Sequence, residues 1–196
     1  MTLRRPLVLN AGAIQELQSG DQLFGTGAPV LLGTADVTNV ASVIFTLPTG
    51  YEYFLVEGDS IVPASGSGAN FLQFQTSNNG GTSYNAGTSD YLTHEWHALG
   101  TAASSATAYT NSGVYLGDIS LNSNFRGAFR LQVDPGNPNY PAFKSEMQSV
   151  EPGTTTAIPG THIMSSWLTA STTRLTNLKF STGVNLTGSF RLWGVP

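Results

Sequence analysis

Side chains capable of chemistry lie closest together at His94-Glu95-Trp96-His97, where two imidazoles bracket a carboxylate. The zinc-protease pattern needs histidines at i and i+4 on one helix face, with the glutamate between them as general base. Here the histidines are three apart, and alternation along a strand sends positions 94 and 97 to opposite faces. The third histidine, His162, is far along the chain. Paired carboxylates for glycoside hydrolysis could be drawn from Glu52, Glu57, Asp59, Asp90 and Glu95. Nothing in their spacing holds two of them at the ~5–9 Å which that mechanism requires. No serine sits in a G-x-S-x-G elbow, and Gly25-Thr26-Gly27 lacks the third glycine of a dinucleotide fingerprint. The chain has no cysteine, which removes thiol catalysis, disulfides and cysteine-ligated zinc. These residues predict neither a catalytic centre nor a metal or other cofactor, and the protein is expected not to be an enzyme.

Binding fits the composition better. Tyr84, Tyr91, Trp96, Tyr109, Tyr115, Tyr140, Trp167 and Trp193 offer flat faces that can stack on sugars or anchor a protein partner. Most sit in or beside strand-like segments, so about two thirds are expected to pack in the core or between subunits. Only 10% of the residues are charged, and neutral Gly, Ser, Thr and Asn fill the gap. Between Pro6 and Phe125 there is no Lys or Arg, while nine acids fall in that stretch; all eight basic residues lie outside it. No basic stripe can run over most of the first two thirds, which argues against nucleic-acid binding. The asymmetry suits acidic and basic faces meeting between neighbouring copies. No apolar run reaches the ~20 residues of a membrane span, so no membrane insertion is expected. The amino-terminal segment also lacks the apolar core of a secretion signal, which points to synthesis in a cytoplasm without export by the general route.

The elements that must position these groups read as strands. Val43, Phe45 and Leu47 alternate inward, and Pro48-Thr49-Gly50 separates them from Tyr51–Val56. Further strand-like runs are 71–75, 91–99, 114–120, 125–133, 163–168, 175–180 and 186–193. Asn78-Asn79-Gly80-Gly81 carries the Asn-Gly dipeptide of a tight hairpin. The small residues of 101–110 permit a short helix or a long loop. Prolines at 135, 138 and 141 fit a polyproline edge or, more simply, a stiff loop between strands. Gly127-Ala-Phe-Arg-Leu131 and Gly188-Ser-Phe-Arg-Leu192 share one pattern and predict two equivalent strands, with Phe and Leu inward and Arg outward. About nine such runs separated by Gly, Pro and Asn predict an all-β fold, a jelly-roll-like antiparallel sandwich over residues 26–196.

Residues 1–25 read differently and form a separate arm. Arg4 and Arg5 precede Pro6 and the apolar run Leu7, Val8, Leu9. Asn10 is placed to cap a short helix on which Ile14 and Leu17 share a face, with Gly20 to end it. An apolar arm of this kind is suited to docking on another protein.

The run Arg4-Arg-Pro-Leu-Val-Leu-Asn-Ala-Gly-Ala-Ile-Gln-Glu-Leu-Gln-Ser-Gly-Asp-Gln-Leu23 resembles the amino-terminal segment of virion structural proteins of tailed bacteriophages. Gly188-Ser-Phe-Arg-Leu-Trp-Gly194 is similar to the closing strand of their β-sandwich domains, and Ser77–Tyr84 to one of their hairpins. The resemblance implies a virion component made in the host cytoplasm, most often a homotrimer. In it residues 1–25 would anchor to capsid or tail proteins through Arg4, Arg5, Leu7, Val8, Leu9, Ile14 and Leu17. It also implies either a head decoration or fibre, or a tail adhesin that binds a host-surface glycan or receptor.

Overall fold

Period-two alternation of apolar and polar residues builds a structure with no helix among its described residues. The computed structural model describes residues 7–10, 13–16, 28–65, 70–99, 102–103, 107–119, 126–136, 138–150 and 159–196. Its strands are β1 (Leu7–Asn10), β2 (Ala13–Glu16), β3 (Val30–Thr46), β4 (Tyr53–Pro63), β5 (Asn70–Ser77), β6 (Tyr91–Leu99) and β7 (Ala102–Ala103). They continue with β8 (Thr107–Asn111), β9 (Val114–Ile119), β10 (Gly127–Asp134), β11 (Ala142–Val150), β12 (Pro159–Leu168) and β13 (Asn177–Val195).

Eleven strands make one antiparallel sheet in the order β7-β6-β12-β11-β10-β4-β13-β5-β9, with β3 also on β13 and β8 also on β6. β13 is the seam of the sandwich. Its residues 177–181 lie between β3 and β5, whereas from Leu186 onward it lies between β3 and β4. The register breaks between Ser181 and Leu186, and there the β3–β13 ribbon turns from one layer into the other. Asn39 takes a left-handed φ of 57° opposite this break, and its N–H donates to Thr187 Oγ1 at 3.0 Å. At the far end β9 folds over β11 and β12. A Cβ on Gly117 would sit 2.9 Å from Met147 Sδ and 3.3 Å from His162, so the layers touch and the sheet is nearly closed into a barrel. The architecture is the all-β antiparallel sandwich expected.

The core is aromatic. Phe180 lies within ring contact of Phe45, Phe74, Phe129 and Phe190, at centroid distances of 6.4, 5.9, 5.5 and 5.7 Å. Two of these rings come from the repeated pentapeptides, and the repeat has a structural cause. β10 and β13 flank β4 on its two sides at the same register: Phe129 and Phe190 both face Gly58, Arg130 and Arg191 both face Glu57, and Leu131 and Leu192 both face Val56. Phe and Leu of each are buried while both arginines are exposed, as the alternation predicts.

Tyr91 carries a polar group into this core. Its ring is fully buried, and its hydroxyl accepts from the Thr76 N–H at 2.8 Å and meets Thr76 Oγ1 at 2.9 Å. Burial pushes the pKa of this hydroxyl up to about 12, although the Thr76 contacts pull the other way. Between pH 10 and 12 the unfolded chain therefore loses a proton that the folded chain keeps, and stability falls as pH rises. The expected loss is about 2–3 kcal/mol by pH 12, since each pH unit between the two titrations is worth roughly 1.4 kcal/mol. Tyr91→Phe is expected to flatten that alkaline limb in urea titrations. At neutral pH it should cost about 1–3 kcal/mol, because the Thr76 N–H loses its acceptor.

Several expectations are corrected. The arm does not form a helix capped by Asn10: residues 7–10 and 13–16 are antiparallel strands, with Leu9 opposite Ile14 and Asn10 opposite Ala13. Two residues separate these strands, the spacing of a tight hairpin, and Val8 and Ile14 favour extended backbone. Arg4, Arg5, Leu17 and Gly20 lie outside the described residues. In the 101–110 segment, the described residues 102–103 and 107–110 are strand, paired to β6. Gly80 and Gly81 do turn with positive φ, but β5 and β6 are not neighbours, so the turn belongs to a crossing between layers and not to a hairpin. The two runs 175–180 and 186–193 fall largely within one strand, β13. The proline-rich segment is, as expected, a loop between strands: its described residues join β10 to β11, with Asp134 opposite Ala142.

Candidate binding face

The histidine cluster is divided by the sheet. His94 and Trp96 point outward from β6, and Glu95 points inward; the side chain of His97 lies outside the described residues. Glu95 meets a residue that spacing alone could not supply. Its Oε1 is 2.9 Å from His162 Nδ1 on β12, both side chains are buried, and Tyr115 of β9 sets its ring edge-on to the imidazole at 5.8 Å. Among the described residues no group of three or more His, Cys, Asp or Glu is placed to hold a metal ion. The carboxylates considered for hydrolysis fall on different elements except for Glu57 and Asp59, both on β4. Glu57 is on the outer face of β4, Asp90 accepts from the Gly87 N–H in the loop before β6, and Asp59 accepts from the Ser60 N–H.

Six neighbouring strands, β13, β4, β10, β11, β12 and β6, share one outer face. Register lays its side chains out in rows. One row crosses the strands as Arg191, Glu57, Arg130, Glu146, Ile163 and Trp96. The next reads Trp193, Leu55, Gln132, Lys144, Ser165 and His94. In a third, Ala142, Trp167 and Leu92 stand opposite one another. The acidic and basic parts of the chain thus meet inside one sheet: Glu57 lies between two arginines and also accepts from Trp193 Nε1 at 3.0 Å. Opposite-charge cross-strand neighbours of this kind contribute roughly 0.2–1 kcal/mol each.

At the middle of this face is a groove of about 520 Å³. Tyr53 and Leu55 form one wall, Ile163 the other, and Arg130, Gln132, Lys144 and Glu146 its floor. Beyond Ile163 the surface continues over Trp96 (39% exposed), Leu92 (41%) and Trp167 (44%). Of the aromatic candidates, Tyr91 is core, Tyr84, Tyr115 and Trp193 are half-buried, Trp96, Tyr140 and Trp167 are exposed, and the side chain of Tyr109 lies outside the described residues. Tyr140 stands in the β10–β11 loop, two residues before Ala142, which pairs with Trp167. The alternation of Leu92, His94 and Trp96 is the sequence signal for the apolar surface beyond Ile163. The alternation of β10 likewise marks Arg130 and Gln132 of the floor, whereas nothing marks Lys144 and Glu146, because β11 is not legible as a strand from its residues alone.

No helix among the described residues is long and apolar enough to cross a membrane. Comparison with protein-family models, curated proteins and solved structures finds no match to this chain.

Proposed function

We propose that this protein is a non-enzymatic structural component of a tailed-phage virion, held to capsid or tail proteins by residues 1–25 and displaying the β-sandwich as a compact, homotrimeric knob. The observation that carries this reading is the pairing of the arm. Among the described strands, β1 and β2 bond only to each other and to no strand of the main sheet. An isolated two-stranded hairpin is marginally stable in water, so it needs a surface to rest on. Leu7, Val8, Leu9 and Ile14 supply its apolar content, and Arg4, Arg5 and Leu17 flank it. The resemblance of this same stretch to virion-anchoring segments supports the assignment. Assembly takes place in the host cytoplasm, and the finished location is the virion.

Deletion of residues 1–25 tests it. The remaining chain is expected to melt cooperatively and stay soluble, yet to be absent from purified particles. Incorporation at the level of the full chain would refute the proposal. Immunogold labelling of particles with antibody to residues 26–196 then distinguishes head from tail.

A further inference from the structure

The backbone N–H and C=O groups of an interior strand are spent on its neighbours, so a ligand lying on a sheet face is held by side chains alone. A peptide adding as a strand would need an edge instead. On the floor of the outer groove, Arg130, Gln132, Lys144 and Glu146 form no side-chain hydrogen bond or ion pair with another described residue. Some polar side chains elsewhere are engaged instead, as where Asn79 bonds both Ser77 Oγ (2.8 Å) and Ser83 Oγ (2.7 Å). The floor therefore presents two cations, one amide and one carboxylate with their hydrogen-bonding capacity open to solvent.

We infer that this groove is a saccharide-binding site. Vicinal hydroxyls both donate and accept, which matches a floor of mixed donors and acceptors. The C–H faces of a sugar ring match the apolar walls, Tyr53 with Leu55 on one side and Ile163 on the other, and Trp96 adjoins Ile163 just outside the groove. The other ligand classes fit less well. A polyphosphate needs an unbroken positive track, and here Glu57 and Glu146 alternate with Arg130. An apolar molecule would desolvate three charges and an amide with nothing in return. Three strand spacings separate the Tyr53 wall from the Ile163 wall, roughly 14 Å, and the groove's volume of about 520 Å³ is within the usual range for small-ligand sites. A short oligosaccharide fills that space. The site is independent of the arm, and its test requires no particles.

The full chain is titrated with a panel of neutral, N-acetylated and uronic-acid disaccharides, followed by calorimetry and tryptophan emission. Saturable binding of at least one class is expected, weakened at least tenfold in Gln132→Ala and in Lys144→Ala. Both positions are solvent-facing, so both variants should melt like the parent. Phe71→Ala, at an exposed aromatic on β5, should bind normally. Failure of every sugar class, or undiminished binding in both groove variants, would overturn the assignment. So would sedimentation showing that Trp96→Ala dissociates an oligomer, since the face would then be an interface between copies.

Discussion

Gly58→Ala is expected to destabilise the sandwich by about 3 kcal/mol, at the upper end of overpacking costs. For a chain of this size that is a fall of roughly 6–12 °C in Tm. The cause is steric and specific: a Cβ at this position would lie 2.1 Å from Phe129 Cε1 and 2.6 Å from Cδ1. The ring has little freedom to withdraw, because Phe180 stacks on it at 5.5 Å and Phe190 meets it edge-on at 6.0 Å. Gly58 is therefore a glycine because the Phe129 ring of the flanking strand covers it, not because the backbone turns there. Phe129→Leu, which removes the clashing ring atoms, should partly rescue Gly58→Ala, and the double-mutant cycle would show a coupling of about 1 kcal/mol or more. A Gly58→Ala melting curve superposable on that of the parent would refute this account.

Phe180→Ala carries the second large effect, about 3–5 kcal/mol, from lost burial and a cavity that rigid neighbours cannot fill. Four rings line the vacated space and belong to β3, β5, β10 and β13. Collapse of any one would pull a strand out of register, so the cavity stays open. Phe180→Leu should recover much of the loss, whereas Phe71→Ala, at a ring that is 55% exposed, should cost little. Chemical denaturation of the three variants checks the order.

Where one face of a strand is buried and apolar, the sequence is readable. Phe129, Leu131 and Val133 announce β10, and Phe190 and Leu192 announce the second half of β13. The equivalence of the two pentapeptides is legible too, though not their shared neighbour, because pairing with β4 is a non-local fact. β11 escapes notice for a physical reason: Ser145 takes the inward position between Phe143 and Met147, which dilutes the apolar alternation. The first half of β3 is hidden because it is an edge, paired on one side to β13, and its residues are exposed or half-buried on both faces. The arm misleads because four-residue strands leave no periodicity, and a cap-like Asn10 ahead of Ile14 reads equally as a helix start. Beside the groove, Trp96 and Trp167 are visible as aromatics; of its polar floor, Arg130 and Gln132 sit on the legible strand β10, while Lys144 and Glu146 depend on the hidden strand β11. The Glu95–His162 contact joins residues that only the β6–β12 register brings together.

The pairing of β3 with β13 also has a consequence for the order in which the chain is made. Val30 ends opposite Gly194, and positions 47–176 separate the two strands, so β3 leaves the ribosome long before its partner exists. At translation speeds of about 5–20 residues per second, these 130 positions correspond to a wait of roughly 7–26 s. Throughout that interval a seventeen-residue strand is available to other nascent chains. Thr34, Asp36, Thr38, Asn39 and Ser42 break up its apolar residues, and such interruptions hold back aggregation of an unpaired strand. The polar character of β3 thus suits the long wait for its partner as well as the sandwich it finally completes.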